Sequence, residues 1–344
     1  MGGSFLLRAA TPDGKVTTLD LDNVGIYMAH GYGRMNVISD LRRFPKSLPT
    51  PVLTIGNFDG VHLGHQTIFR TLHQRAREVG GTSIVLTFDP HPLKVLAPEH
   101  CPPLITPTPQ KLVLIQACEP DLIVCLPFTH AFANQTPTAF VEEVLLETIG
   151  MKEVYVGYDF AFGKGRLGTI TLLQQLGMEA GFRVHIIEPI SIEGRVVSSS
   201  VIRQWVQAGR VDEVAPLLGR LYAISGTVVE GYQRGRELGF PTANIRSPHE
   251  LLPGRGVYAV LTDWKDHRYP GVANIGWNPT FARTQLSIEI HLFDFSEQLY
   301  GETIEVHFVK KIRDERAFPS LDDLVVQIGR DVDTAHRLLA AYHT

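Results

Sequence analysis

A change of hydrophobic period part-way along the chain constrains its fold more than any other feature. From about Pro51, the strand-length runs PVLTIGNFD, TSIVLTF, DLIVCLPF, EVYVGYDF and RVHIIEPI are almost continuously apolar. Helical stretches lie between most of them. HQTIFRTLHQRAREVG carries Ile68, Leu72, Ala76 and Val79 on one stripe, and PTAFVEEVLLETIG and TLLQQLGMEAG follow. Strands without polar alternation, separated by helices, predict a parallel sheet buried on both faces. After LLGRLY the period changes. AISGTVVEG, GVYAVLTD, YPGVANIG, LSIEIHLFDF and TIEVHFVKK are strand-like, with Gly, Pro and Asn between them and no helix. Ile288, Ile290 and Leu292 alternate with Glu289, His291 and Phe293, which predicts an antiparallel sheet or small barrel. One closing helix carries Leu321, Leu324, Val325, Ile328, Val332 and Leu339 at three- and four-residue spacing, a face to pack on that barrel.

The chain of 344 residues therefore divides into an α/β domain over 35–217 and a β domain over 218–344, both of ordinary size. Residues 1–34 fit neither pattern and read as an extension, either a flexible tail or an over-long start ahead of MNVISDLRRFP at Met35. A net charge of −4 gives no whole-chain case for binding nucleic acid or a membrane surface. No apolar run approaches the ~20 residues of a spanning helix. The N-terminus lacks signal-peptide form, because FLL is followed at once by Arg8, Thr11, Asp13 and Lys15. Cys101, Cys118 and Cys125 cannot all pair and show no CxxC spacing. A reduced, cytoplasmic setting is expected.

The strongest local signal is GNFDGVHLGH, Gly56 to His65, where an apolar strand runs through a glycine-bearing loop into a helix. His62 and His65, three apart at a helix start, face the same side. The helix N-terminus suits phosphate, and Gly56, Gly60 and Gly64 permit close backbone approach. The chemistry implied is nucleotidyl transfer, in which a phosphate oxygen attacks the α-phosphorus of a nucleoside triphosphate and the enzyme positions groups and neutralises charge. An isolated HxxH is more readily a cap; the preceding strand and GNFDG turn the balance toward a site. Zinc would need further ligands, and no Cys or acidic cluster lies nearby.

Three later segments fall at strand ends, where ligands bind in open α/β folds. TFDPHP, Thr87 to Pro92, frames His91 between prolines. GYDFAFGKGRLG sets Tyr158, Phe160 and Phe162 beside Lys164 and Arg166, a combination able to stack a flat ring and bind phosphate. SSSVIR places hydroxyls at a helix start with Arg203 one turn on. In the β domain, GRELGFPTANI puts Thr242 and Asn244 two apart, so both side chains reach one side of an extended chain. Two neutral oxygen ligands make a partial magnesium site, to be completed by ATP phosphates and waters. Glu289, in an otherwise apolar strand, is either a solvent-facing position or a base that deprotonates a substrate hydroxyl.

Taken in order, GNFDGVHLGH, TFDPHP, GYDFAFG, SSSVIR with LLGR downstream, GRELGFPTAN, GVANIG and IEIHLFDF resemble the prokaryotic bifunctional riboflavin kinase/FMN adenylyltransferases, or FAD synthetases, from about residue 35 to the end. The resemblance implies a Rossmann-like nucleotidylyltransferase domain followed by an antiparallel six-stranded β-barrel flavokinase domain with a C-terminal helix. It also implies ATP, riboflavin and FMN as substrates, FAD as product and Mg²⁺ as cofactor. By position, His62 and His65 resemble the histidines that engage ATP phosphates, and Ser199, Ser200 and Arg203 the segment that closes on the triphosphate. Gly56, Asn57, Phe58, Asp59 and Gly60 join them as substrate-binding positions, as do Gly226, Gly239 and Pro241 in the kinase half. Phe88, Pro90, Pro92 and Phe162, with Asp159, fall where the family holds the flavin. Thr242 and Asn244 match the kinase magnesium and nucleotide contacts, and Glu289 the kinase base.

Three positions depart from the family pattern: Asp159 where some members have Asn, Val201 where many have a basic or hydroxyl residue, and Asn278 where Arg is frequent. A kinase with a degenerate adenylyltransferase domain and a non-catalytic flavin- or nucleotide-binding regulator are the alternatives. An HxGH transferase acting on a pantetheine or nicotinate nucleotide would leave the PTAN barrel without a role.

Overall fold

The computed structural model describes residues 37–231, 235, 238–280 and 283–342, with backbone alone for 6–10, 16–20, 28–30, 278–280 and 283–285. Met35, Arg236 and Glu237, and the side chain of Asn278, lie outside the described residues. Within the N-terminal extension, Leu6–Ala10, Val16–Asp20 and Met28–His30 pair as three short antiparallel strands. Contacts divide the chain into two units, Met1–Ser198 and Ser199–Thr344.

The first unit holds six strands: β1 Val37–Ile38, β2 Pro51–Ile55, β3 Thr82–Asp89, β4 Leu122–Pro127, β5 Glu153–Gly157 and β6 Arg183–Ile187. All pair in parallel, in the order β1-β4-β3-β2-β5-β6. Alternate residues of each strand feed two separate cores, which is why the runs are apolar throughout. Val52, Val85, Ile123 and Tyr155 pack with Phe69 and Leu72 of helix α1 (Leu63–Glu78). Leu53, Ile84, Val124 and Val154 pack on the other face with Phe140, Leu145 and Leu173. The order reverses beside β2, with β3 on one side and β5 on the other. Ligands bind at the carboxyl ends of the strands at such a reversal. Buried Glu153, at the start of β5, accepts from Arg75 Nε and Nη2 (3.0 and 2.9 Å) near the C-terminus of α1. That pair helps fix the far end of the helix, leaving its N-terminus at the carboxyl edge. The Arg75 hydrogen bonds outweigh burial and hold the Glu153 carboxyl below its ordinary pKa.

The second unit is a closed barrel of β7 Tyr222–Val229, β8 Ala243–Arg246, β9 Gly256–Trp264, β10 His267–Thr280, β11 Arg283–Leu292 and β12 Thr303–Arg313. The order around it is β7-β8-β11-β10-β9-β12, antiparallel at every pairing. Closure satisfies every edge strand. Helices α2 (Ser199–Gln207) and α3 (Val211–Leu218) group with the barrel unit, α3 lying against β7 and β12. They precede the change of period near 217, so the contact division falls ahead of the pattern division.

The last helix, α4 (Leu321–Leu339), covers Ala259, Leu261 and Val309 with Ala335 and Leu339. Its stripe differs in detail from the expected one. Leu321 is 67% exposed, and the fully buried positions are Asp331, Ala335 and Leu339. A charge fits that stripe because Arg313 of β12 donates to both Asp331 oxygens (3.1 and 3.0 Å), with Gln327 adding a third bond at 2.8 Å.

A second buried charge network closes the far end of β9. Arg268 donates to Asp263 Oδ1 and Oδ2 at 2.6 and 2.8 Å, His307 Nε2 lies 2.9 Å from Oδ2, and buried Glu305 is 3.8 Å from the same ring nitrogen. Burial alone would raise the Asp263 pKa, but the Arg268 and His307 hydrogen bonds overcome it and hold the carboxyl well below its usual range. A depressed carboxyl contributes stability that is present above its unfolded pKa of about 3.9 and fades as the pH falls through the folded value. Asp263→Asn should therefore cost about 3 kcal/mol at neutral pH, since it uncouples buried charges. Urea unfolding should show that gap narrowing below about pH 4. An equal gap at every pH would rule out the charge as its source.

Candidate functional site

At the carboxyl edge of the parallel sheet, the loop after β2 turns abruptly into α1. Phe58 and Val61 both adopt positive φ, 49° and 40°, the second unusual for a β-branched residue. Such backbone persists only where the surroundings fix it, and here they do. Buried Asp59 accepts from the backbone N–H groups of Ile105 (3.0 and 3.1 Å) and Thr106 (3.2 Å), while Gly60 N–H donates to Thr106 Oγ1 at 3.2 Å. Gln66 of α1 donates back to Val61 O at 2.9 Å. Asp59 thus organises the loop from within it.

His62 is the N-cap of α1, its Nδ1 accepting from His65 N–H at 3.4 Å. The two rings stack, with centroids 3.6 Å apart and planes 19° from parallel, and Phe58 meets His65 edge-on at 5.2 Å. Gly64 makes the stack fit, because a Cβ there would press on the His62 ring at 3.0 Å. His65 Nδ1 is buried and has no hydrogen-bond partner among the described residues. Burial first, then the neighbouring His62 and Lys111, pushes the His65 pKa well below its ordinary value. His65 therefore presents a neutral imidazole at a helix N-terminus, a setting for phosphate oxygens.

The flavin positions implied by the resemblance are of two kinds. Phe88 and Phe162 are buried in one continuous aromatic cluster. Phe88 lies 5.5 Å from Phe128 and 5.7 Å from Phe132, Phe132 lies 5.8 Å from Phe140, and Phe140 lies 5.9 Å from Phe162. Pro90 and Asp159 are exposed and Pro92 is half-buried. Tyr158 is 51% exposed at the end of β5, beside exposed Lys164 and Arg166. Ser199, Ser200 and Arg203 stand at the start of α2 in the second unit, Ser200 exposed and the other two half-buried.

Sequence reasoning missed Lys111. It is a buried lysine on the helix Thr108–Gln116, and its Nζ donates to Asn57 O (3.3 Å), Thr87 Oγ1 (3.2 Å) and Phe88 O (2.9 Å). The available signal was a lysine inside the apolar run QKLVLIQ, which reads as a solvent-facing position.

In the barrel, the PTAN segment is the entry to strand β8 and not a free turn. Cross-strand register sets Asn244 opposite Glu289, and Glu289 opposite Asn274 of β10, so three polar side chains share one row. Asn274 is two residues from Val272, which packs with α4, so the row lies on the outer face of the barrel. Ile288 and Ile290 alternate inward, as their spacing predicts. Asn274 lay in the GVANIG motif but was not singled out. Glycines crowd this row: a Cβ on Gly231 would collide with the Asn244 amide, and one on Gly235 would lie 3.1 Å from Thr242 Oγ1. Gly226 admits close approach of β8, Gly239 turns at φ 83°, and the Pro241 carbonyl receives His291 Nδ1 at 2.9 Å.

A nucleotide-binding α/β unit with paired histidines at the sheet reversal, followed by a barrel with a carboxylate between two amides, defines a two-domain transferase. The family model for FAD synthetase matches residues 45–201 and that for riboflavin kinase matches 218–339. The bifunctional riboflavin kinase/FMN adenylyltransferase of Haemophilus influenzae is 38% identical over 88% of this chain and 98% of its own. That of Escherichia coli K12 is 41% identical over 83% of this chain and 91% of its own. A solved structure named a macrolide-efflux protein, from Streptococcus pneumoniae, is 30% identical with a TM-score of 0.80, covering 88% of this chain and 98% of that one. The chain belongs to the bifunctional riboflavin kinase/FMN adenylyltransferase family, and carries both an FAD synthetase domain and a riboflavin kinase domain. Among the described residues, no helix is long and apolar enough to cross a membrane.

The role given to Asp59 has a direct test. Asp59→Ala leaves buried N–H groups of Ile105 and Thr106 without their acceptor, at a cost of about 1–3 kcal/mol. Asp59→Asn keeps one acceptor oxygen and should lose less. Thermal unfolding followed by circular dichroism ranks the three proteins; an Asp59→Ala protein as stable as the parent would refute the assignment.

Proposed function

We propose that both domains are catalytically active in this chain: the barrel phosphorylates riboflavin to FMN and the α/β unit adenylylates FMN to FAD, each using ATP. The observation that carries this reading is that each matched domain keeps its own reactive set, the stacked His62–His65 pair in one and the Asn244–Glu289–Asn274 row in the other. In adenylyl transfer, an FMN phosphate oxygen attacks the α-phosphorus of ATP and the bond to the departing pyrophosphate breaks. The imidazoles donate hydrogen bonds to phosphate oxygens, and the arriving negative charge favours the protonated form of His65 as charge develops on the leaving group. The resemblance assigns Ser199, Ser200 and Arg203 to the triphosphate, for which hydroxyls and a guanidinium are suited donors. Phe88 and Phe162, in the buried aromatic cluster, and Pro90 and Pro92, just past the end of β3, make apolar surroundings suited to the flavin ring. The intact histidine pair favours this reading over a kinase alone.

In the kinase half, Glu289 takes the proton from the riboflavin hydroxyl as that oxygen attacks the γ-phosphorus. Thr242 and Asn244 would hold Mg²⁺. Their hydroxyl and amide oxygens are the hard neutral donors this ion takes alongside phosphate and water, and Gly231 and Gly235, lacking a Cβ, let the backbone lie close against Asn244 and Thr242. The ion would neutralise phosphate charge. A reduced, cytoplasmic setting accords with Cys101, Cys118 and Cys125, all free thiols.

Separate sites predict a crossed pattern of products. With riboflavin and ATP, His65→Ala should stop at FMN, its adenylylation lowered about 10²–10³-fold and its kinase rate almost intact. Glu289→Gln should lower FMN formation about 10²–10⁴-fold yet still convert supplied FMN to FAD. Chromatographic separation of riboflavin, FMN and FAD reads both outcomes. Loss of riboflavin phosphorylation in folded His65→Ala, or of FMN adenylylation in folded Glu289→Gln, would end the two-site assignment.

A further inference from the structure

Lys111 is buried on a helix that otherwise serves the sheet core, and its three hydrogen-bond partners are all neutral oxygens. Two belong to Thr87 and Phe88 at the end of β3, and the third is the Asn57 carbonyl in the loop after β2. An ammonium has three N–H groups and finds three acceptors; a neutral amine would have only two to give. The surroundings are therefore built for the charged form. Burying a cation among neutral partners is costly, and a core position of this kind would be better filled by an apolar side chain. The Asp89 and Asp59 carboxylates offset part of that cost, and an anion arriving at this edge of the sheet would offset more.

We propose that Lys111 is a positioning residue of adenylyl transfer, whose buried ammonium ties the loop after β2 to the end of β3 and sets a fixed positive charge beside the histidine pair. This rests on the adenylyl-transfer reading above. The loop after β2 carries Phe58 and leads into the histidines, and the end of β3 carries Phe88 and leads into Pro90 and Pro92, so a single side chain couples the phosphate-binding group to the flavin positions. The two segments cannot separate without stripping Lys111 of its acceptors. The charges acting on His65 are those of His62, on its own helix, and Lys111, on the next. Those acting on Lys111 come from Cys125 on β4, Asp89 at the end of β3 and Asp59 in the loop after β2. Burial lowers the Lys111 pKa; Cys125, a thiol whose own pKa burial raises to about 11, and the Asp89 and Asp59 carboxylates work against that fall. Burial first, then His62 and this standing charge, keep His65 neutral until a polyphosphate arrives.

The full chain is assayed for FAD formation from FMN and ATP, as the parent, Lys111→Met and Lys111→Arg. Loss of loop alignment should lower kcat/KM of Lys111→Met about 10²-fold, while riboflavin phosphorylation by the same preparation stays unchanged. Removing the positive charge lets His65 protonate more easily, so the acid limb of the adenylylation profile should move to higher pH. Lys111→Arg keeps the charge and should leave that limb in place whatever its rate. A merely structural role would lower the rate in both variants without moving the limb. Parent-like adenylylation in Lys111→Met, or an unmoved limb, overturns the proposal. A parent that makes FMN but no FAD overturns the adenylyl-transfer reading itself. If Lys111→Met does not fold, Lys111→Gln takes its place in the same assays: parent-like adenylylation, or an acid limb at the parent's pH, overturns the proposal.

Discussion

The burial of the parallel sheet on both faces governs the first unit. With Val52 and Val85 committed to one core and Leu53 and Ile84 to the other, the strands have no free surface on which to carry chemistry. Polar function is pushed to the loops at the strand ends. The reversal beside β2 then opens one place where loops from neighbouring strands diverge enough to admit a ligand. GNFDGVHLGH, TFDPHP and GYDFAFG all follow strands at that carboxyl edge. The strain at Phe58 and Val61 is held there by buried hydrogen bonds from the segment Ile105–Thr106.

The barrel answers the same problem in another way. Its interior is filled by the inward half of each alternating strand, so the outward half is available over much of its circumference. Part of that outer surface is used for stability: α4 covers Ala259, Leu261 and Val309, and Arg313 holds the buried Asp331 of that helix. Further along the same face, Asn244, Glu289 and Asn274 make a polar row, with glycines where other residues would fill the space. Three buried carboxylates away from the candidate sites are matched by arginines: Glu153 by Arg75, Asp263 by Arg268 and Asp331 by Arg313. Lys111 differs, its three hydrogen bonds going to neutral oxygens.

Much of this was legible in the sequence, for a local reason. Period and turn chemistry are short-range properties, so the change from continuous to alternating apolar runs was enough to separate a parallel sheet from a barrel. The GNFDGVHLGH motif likewise predicted that both histidines would share one side of a helix start, because that relation depends on spacing within a single turn. The alternation around Glu289 correctly sent Ile288 and Ile290 inward. The stripe of α4 was less well read. Leu321 has the right spacing but lies at the exposed start of the helix, and Asp331 is buried because its partner Arg313 is on another strand.

The sequence by itself determined the two kinds of sheet, the order of their elements and the residues that carry the candidate chemistry at each strand end. Only the tertiary structure decided which of those ends meet and what surrounds them. Asp59 reads as a ligand-facing residue until the backbone of Ile105 and Thr106 is brought against it. Asn274 joins Glu289 only through strand register, and Lys111 reads as solvent-facing until the fold brings the loop after β2 and the end of β3 against it. Spacing along a chain fixes direction within one element, whereas burial and pairing depend on groups far apart in sequence that packing alone brings together.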